Sequence, residues 1–538
     1  MKEIYNEIKI NEKGRNILIG GAWPYANSSL HLGHLAALLP GDILARYHRL
    51  MKDNVIYVSG SDCHGTPITE RAKKEGVTAS SIAEQYHEEF VESFNRMNFS
   101  YNLYSKTESE FHKNTVEKLF KKMYDNGLIF ERIEPDNYCD NCKKFVADRE
   151  LKLICPECGL DSKGDQCECG HVFTKEELIG ATCIDCGNKT TTKDNKNLYI
   201  ALSKLQKEIE VYAKENETKW RKNAQNETNK YLLEGLPDRA VTRNLDWGVN
   251  IPIPNYEDKK MYVWIEAVLG YLTTTMDFCN RNNLDYENWW KNNKNDIMYM
   301  VHGKDNITFH SIIFPGLLLA LKDNYKLPDM IVSSEYLNFN DQKFSKSKGI
   351  GLTILEATEQ FNIDTLRFHL LRNGPEKRDT SFSVEDYNAT HNEVNNKLGN
   401  FINRTLKFKG LTHIPEGNMD EDIKSLLEKT YQDISLNMEK MEFREVTNII
   451  INLLDKVNKY YDESTPWIAF KEDTNKFNDC IYTCSCVIAN IANYIEPIMP
   501  TTAEKIRGYL NIKESCWNYV SANKNQELNN IEALFNRL

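Results

Sequence analysis

The chain has 538 residues, and its 67 lysines and arginines stand against 78 aspartates and glutamates, a formal net charge of −11. A hydrophobic fraction of 41% and a charged fraction of 27% exclude disorder, and the acidic balance excludes a uniformly basic coat for nucleic acid while leaving room for a local basic groove. This length predicts about three to four domains.

The stretch from Met1 to Asn16 lacks the apolar core of a secretory signal. The most apolar run, Ile312 to Leu321, is about half the length of a membrane span and contains Pro315. We expect a cytosolic protein with no membrane partner. In that compartment clustered cysteines read as metal ligands rather than disulfides.

Ile17–Gly20 is a short apolar run. It is followed by a loop, Gly21–Ser29, an amphipathic helix from about Leu30 to Lys52, and a second apolar run, Val55–Val58. Strand, helix and strand in this order predict a right-handed crossover into a parallel sheet. At the helix start stands His31-Leu32-Gly33-His34. Histidines three apart share one helix face. A helix N-terminus offers free N–H groups and a positive dipole end, which suit phosphate. Gly33 leaves room for a flat base against the backbone. A further helix is expected over Ala79 to about Asn98.

Residues 135–193 lose apolar periodicity and hold eight of the 14 cysteines, paired as Cys139/Cys142, Cys155/Cys158, Cys167/Cys169 and Cys183/Cys186. Three pairs are C-x₂-C knuckles, which present two thiolates to one metal; the third in chain order is only C-x-C. Nested pairing puts Cys139, Cys142, Cys183 and Cys186 on one zinc, and Cys155, Cys158, Cys167 and Cys169 on another. His171 is an alternative ligand at the second site. One or two zincs are expected, and they are structural, because four protein ligands leave no position open for water.

Regular text resumes near Lys260. Ile297–Val301 and Met330–Ser333 read as strands flanking a helix, so the cysteine-rich segment is an insertion in one split α/β domain. Beyond it lies Lys343-Phe344-Ser345-Lys346-Ser347-Lys348-Gly349, a small, flexible basic loop suited to closing over a triphosphate and neutralising a leaving pyrophosphate.

From about Glu385 the text is helical. One stripe runs through Val394, Leu398, Phe401, Ile402 and Leu406, and another through Phe443, Val446, Ile450, Leu453, Val457 and Tyr460. A third helix spans Cys480 to about Tyr494. Asn396, Asn400 and Arg404 fall at i, i+4 and i+8, a row fit to read unstacked bases. Thr465 reads as a helix cap, with Pro466 in the first turn and Trp467 as a stacking platform. The expected divisions are 1–110 and 260–330 for the split catalytic domain, 111–259 for the insertion, 331–386 for the basic-loop region and 387–538 for the bundle.

His31-Leu32-Gly33-His34 after the first strand, with Lys343 to Lys348 far downstream, resembles the HIGH and KMSKS signatures of the class I aminoacyl-tRNA synthetases. Within that class several segments are similar to the methionyl-tRNA synthetase family. They are Ala22-Trp23-Pro24-Tyr25-Ala26-Asn27, Gly60-Ser61-Asp62-Cys63-His64-Gly65-Thr66-Pro67, Val263-Trp264-Ile265-Glu266-Ala267, Gly270-Tyr271, His302-Gly303-Lys304-Asp305 and Phe309-His310.

The resemblance implies a Rossmann-like catalytic domain, split by the zinc-knuckle insertion and followed by a helical anticodon-binding domain. It implies activation of L-methionine with ATP and Mg2+, then transfer to tRNA(Met). His31, His34, Lys343 and Lys346 would be catalytic, and Gly33, Gly303, Asp305, Lys343 and Lys346 would bind ATP. Asp62 would hold the α-ammonium. Trp23, Tyr25, Trp264, Ala267, Tyr271, Phe309 and His310 would form the methionine pocket, where aromatic edges suit a thioether and His310 or Tyr271 could offer the sulfur a weak polar contact. Asn396, Asn400, Arg404 and Trp467 would meet the CAU anticodon.

Trp23, Cys63, Glu266 and Val268 depart from the family pattern, Trp23 standing where a smaller aliphatic residue is expected. We expect no appended tRNA-binding domain after the bundle, and therefore a monomer. Other class I synthetases fit less well. The isoleucyl, valyl and leucyl enzymes need a larger insertion, and a cysteinyl enzyme needs a cysteine at Trp23. A zinc-ribbon RNA binder would need neither phosphate motif.

Overall fold

The computed structural model describes residues 3–146, 150–163, 167, 173–291, 295–343, 350–528 and 531–536. Lys346, with the rest of 344–349, and Cys169 and His171 lie outside the described residues.

A six-stranded sheet organises the catalytic part, in the spatial order Ile4–Tyr5, Leu103–Lys106, Asn54–Ser61, Asn16–Gly21, Ile297–Gly303 and Met330–Ser334. All neighbours are parallel except the first pair. Alternate side chains divide between the two faces. Ile17, Ile19, Val55 and Tyr57 join one core, which continues without a break into the helical bundle. Leu18, Ile56 and Val58 join the other, shared with the insertion helices and the helix Val263–Arg281. Strand order reverses between Asn16–Gly21 and Ile297–Gly303, and ligands of such sheets bind at the carboxyl edge of that switch point.

The insertion leaves the sheet as a two-stranded ribbon. Ile129–Cys139 pairs antiparallel with Thr191–Ile200, from Ile129↔Ile200 to Tyr138↔Thr191, and the knuckles sit at its far end. Helices Leu202–Asn216 and Lys222–Glu234 lead back.

The bundle holds the expected stripes: Val394, Leu398, Phe401, Ile402 and Leu406 are all buried. Three details differ from the sequence reading. The seam of Phe443–Ser464 continues through Tyr461, which is buried, while Tyr460 is only partly so, because the helix repeat from Val457 favours i+4. A π turn over Asn395–Gly399 interrupts the first stripe, so Asn396, Asn400 and Arg404 do not form a straight α-helical row. Thr465 caps nothing with its side chain. It sits at φ 45° as the left-handed link between Phe443–Ser464 and Pro466–Glu472. A helix the stripes did not reveal, Glu421–Glu439, packs against Phe443–Ser464.

Two fully buried charges hold the halves together. Asp42, on the helix Leu32–Leu50, pairs at 2.6 Å with Arg367 of the helix Ile363–Asn373. Arg367 also donates to the carbonyls of Met97, Pro497 and Ile498. A buried charge is tolerated only when paired and fully hydrogen-bonded, which this set provides.

Candidate active site

The helix Leu32–Leu50 starts in a capping box made of two imidazoles. Gly33 N–H donates to His31 Nδ1, and His31 N–H donates to His34 Nδ1, both at 3.1 Å. The expected free N–H groups are therefore occupied. Leu32 N–H donates to the Leu352 carbonyl, and the amides of His34 and Leu35 to the His31 carbonyl. Because each Nδ1 accepts, each neutral ring carries its proton on Nε2. Burial pushes His31 down to about 4, and burial together with His31 pushes His34 down to about 3, so both rings are neutral near pH 7. The terminus thus carries two oriented imidazoles in place of bare amides.

These histidines line a cavity of about 660 Å³ with Trp23, Tyr25, Gly33, Trp264, Gly303, Asp305 and Lys343. Tyr336, just past the strand Met330–Ser334, also lines it and donates to the Asp305 carboxylate. Lys304 is held by Glu335 at 2.8 Å and by Asp379 at 2.7 Å.

The aromatic residues form two groups at the cavity wall, Tyr25 with Trp264 and Phe309, and Trp23 with Tyr271 and His310. Trp264 meets Tyr25 edge-on at 5.7 Å and lies parallel to Phe309 at 4.3 Å. Tyr271 and His310 are both buried, with Tyr271 Oη 2.8 Å from His310 Nε2. His310 Nδ1–H donates to the Asn306 carbonyl, so Nε2 accepts from the tyrosine and the imidazole has no donor left for a sulfur. Ala267 is buried on the same helix as Trp264. The bulk of Trp23 is accommodated by two glycines: a Cβ on Gly60 would lie 2.4 Å from its Cζ3, and one on Gly270 2.6 Å from its Cζ2.

Asp62 lies next to this wall, 3% exposed and bridged through its backbone to Tyr25. Burial, then repulsion from Glu266, holds its carboxyl well above the usual range against the pull of His64. Glu266 itself is fully buried, with one carboxylate oxygen 2.7 Å from His64 Nδ1 and the other 2.8 Å from His112 Nε2.

At the end of the ribbon, Cys139, Cys142, Cys183 and Cys186 bring four sulfurs within 4.8 Å of one another, and Cys155, Cys158 and Cys167 form a second such group. Both groups follow the nested pairing. Gly159 and Gly187, one place after a knuckle, have φ of 72° and 75°, which lets each turn close on its own cysteine carbonyl. In the knuckle of Cys139 and Cys142, Lys143 holds that left-handed position at φ 55°. Besides cysteine, the buried core here among the described residues is Val146, Leu151, Phe173, Leu178 and Ala181. The donor set and the thin core both fit structural zinc.

On the bundle, Arg404 lies 4.2 Å over the Tyr461 ring and pairs with Asp462 at 2.7 Å. Trp467, 47% exposed, is 6.4 Å from the same ring. Asn396 and Asn400 are exposed on the neighbouring helical segment.

Residues 17–406 match the family described as tRNA synthetases class I (M), and residues 414–535 the anticodon binding domain of methionyl tRNA ligase. The methionine–tRNA ligase 1 of Alkaliphilus oremlandii is 43% identical over 528 residues, 97% of each chain. That of Bacillus mycoides is 42% identical over 531 residues, again 97% of each. The chain belongs to the methionyl-tRNA synthetase family. Its fold matches Mycobacterium tuberculosis methionyl-tRNA synthetase bound by methionyl-adenylate, with a TM-score of 0.80 at 22% identity over 97% of this chain and 100% of that one.

Within this family fold, sequence reasoning missed Tyr336, Glu108, His112, and the pair Asp42–Arg367. Asp42 carried a signal, as a carboxylate in the otherwise apolar run Leu38-Leu39-Pro40-Gly41-Asp42-Ile43-Leu44. Among the described residues no helix is long and apolar enough to cross a membrane.

Proposed function

We propose that the chain attaches L-methionine to tRNA(Met), initiator and elongator alike, in two steps. The methionine carboxylate attacks the α-phosphorus of ATP in line, forming methionyl-adenylate and expelling pyrophosphate. The terminal adenosine of tRNA then takes the methionyl group, and AMP leaves. Catalysis is mostly positioning and charge stabilisation. Mg2+ accompanies ATP as part of that substrate.

The observation that carries this reading is the shared cavity, where the imidazole-capped helix start faces the wall of Tyr25 and Trp264. Nε2–H of His31 and His34 donates to phosphate oxygens. Gly33, Gly303, Asp305 and Lys343 hold the nucleotide, and Lys346 follows the pyrophosphate. Asp62 takes the α-ammonium, while Trp23, Tyr25, Trp264, Ala267, Tyr271, Phe309 and His310 enclose the thioether. Zinc on the two cysteine groups cross-links the insertion and supplies no chemistry at the reacting atoms. Asn396, Asn400, Arg404 and Trp467 read the CAU anticodon. The divisions 1–110 with 260–330, 111–259, 331–386 and 387–538 serve catalysis, zinc-bearing insertion, basic loop and anticodon. We place the enzyme in the cytoplasm as a monomer.

Pyrophosphate exchange across the standard amino acids, followed by aminoacylation of tRNA(Met), tests the reading. Exchange dependent on methionine alone is expected; exchange driven as well by another amino acid, or none with methionine, overturns it.

A further inference from the structure

Four ionisable side chains from four elements meet beside Asp62. His64 comes from the loop after Asn54–Ser61, Glu108 from the turn after Leu103–Lys106, His112 from the helix Glu110–Asp125 and Glu266 from the helix Val263–Arg281. His64 Nδ1 lies 2.7 Å from Glu266 Oε1, and its Nε2 lies 2.7 Å from Glu108 Oε2. Two ring nitrogens that each face a carboxylate oxygen need two protons, so the geometry makes His64 an imidazolium. The second Glu266 oxygen takes His112 Nε2 at 2.8 Å, and His112 Nδ1 is 2.8 Å from Thr273 Oγ1. Lys113 holds the other Glu108 oxygen at 2.9 Å. Trp247 covers the His64 ring edge-on at 5.5 Å and donates to the Cys63 carbonyl.

Glu266 has His64, and Glu108 has Lys113. Asp62 receives the backbone N–H of His64 at 3.3 Å, and no lysine or arginine among the described residues forms an ion pair with it. Asp62 is thus a buried carboxyl without a cationic side-chain partner among the described residues, and in a low-dielectric interior such a charge counts heavily.

We propose that this chain of groups positions the amino acid: His64, clamped as an imidazolium between Glu266 and Glu108, fixes the Asp62 loop and leaves one buried carboxylate for an α-ammonium group to complete. This rests on the assignment of Asp62 to the ammonium. Glu266, Glu108 and His64 are positioning residues that act through Asp62 without touching substrate. The titration directions agree. Burial would lower His64, but Glu266 and Glu108 outweigh it and hold the ring up at about 10. Burial and Glu266 hold Asp62 well above the usual carboxylate range, so methionine binding weakens as pH falls through its midpoint.

The test uses the full chain with Glu108→Gln, Glu266→Gln and Asp62→Asn, read by pyrophosphate exchange and by NMR titration of the His64 ring. Each glutamine variant should raise KM for methionine by about tenfold, the size of one lost charge-assisted hydrogen bond, with kcat and KM for ATP moving far less. In the parent His64 should not titrate between about pH 6 and pH 9, and in Glu108→Gln it should regain a midpoint toward the ordinary value of about 6.5. The Glu108 side chain is 25% exposed, so that variant keeps the test open if Glu266→Gln misfolds. An unchanged methionine KM in Glu108→Gln, or a parent His64 that titrates near its ordinary value, overturns the proposal. Asp62→Asn separates the layers: no rise in methionine KM there sinks the assignment of Asp62, whereas a rise there without one in the glutamine variants sinks the positioning chain alone.

Discussion

His31 and Thr353 face each other in an isolated antiparallel bridge, flanked by Leu32 N–H to the Leu352 carbonyl at 3.2 Å and Ile354 N–H to the Leu30 carbonyl at 2.8 Å. The two phosphate motifs, distant in sequence, thus share a backbone junction. The chain that leaves the lysine segment is docked on the helix start whose rings line the cavity.

Thr353 also caps the helix Ile354–Gln360, accepting from Glu356 N–H. Thr353→Ala should cost about 1 kcal/mol of stability, as lost caps do. It should also slow adenylate formation severalfold by loosening the junction. Thermal unfolding and pyrophosphate exchange check both, and an unaltered exchange rate would separate the junction from catalysis.

His31→Asn keeps a side-chain acceptor at the cap and removes the Nε2–H donor. Asparagine caps helices well, so unfolding should shift by less than about 1 kcal/mol while adenylate formation falls by about a hundredfold or more. Because burial holds His31 and His34 at about 4 and about 3, their neutral, active form persists as pH falls until those values are approached. With methionine and ATP saturating, kcat should show no acid limb near the ordinary histidine value of about 6.5. A limb there that disappears in His31→Asn would refute the neutral-donor role.

Gly270→Ala places a Cβ 2.6 Å from the Trp23 ring, which must move. Overpacking of this kind costs about 1–3 kcal/mol. KM for methionine should rise while KM for ATP stays near its parent value, since Trp23 packs edge-on against Tyr271 in the aromatic wall.

Lys143 occupies a left-handed turn position that its sister knuckles give to glycine. Lys143→Gly should therefore stabilise the insertion by up to about 1 kcal/mol, the backbone strain relieved less the entropy glycine adds to the unfolded chain. Chelation of zinc should unfold the insertion while leaving the sheet's hydrogen-exchange protection in place. Protection lost evenly across the chain would contradict a separately metal-held unit.

Arg367→Met leaves Asp42 buried with Arg46 as its remaining cation, and a loss of about 3–5 kcal/mol is expected. Burial would raise Asp42, but Arg46 and Arg367 outweigh it and hold it well below the usual carboxylate range. The pair's contribution is therefore complete above about pH 4 and is lost as pH falls through lower values. The parent should lose more stability on acidification than Arg367→Met does, and equal acid sensitivity in chemical denaturation would refute this.

The sheet was legible because Ile17–Gly20 and Val55–Val58 alternate between two buried faces, and the bundle because its stripes keep the helix repeat. The cavity was legible through motifs whose spacing brings them to the switch point. What was hidden depends on contacts that spacing does not encode. The imidazole rings turn back onto their own backbone amides, and a π turn shifts Asn396 from the row expected with Asn400. Glu266 reads as a lone acid in an apolar helix until two histidines from other elements close on it. Thr465 has the composition of a cap but the backbone of a hinge between two helices.

The hydrogen bonds by which Arg367 reaches Asp42, Met97, Pro497 and Ile498 bear on how the molecule can be divided. A fragment cut between the catalytic part and the bundle would strip Arg367 of two carbonyl acceptors and expose the sheet face whose core runs on into the helices. Such a fragment should therefore be less stable than the whole chain, because the catalytic end leans on contacts that the bundle supplies.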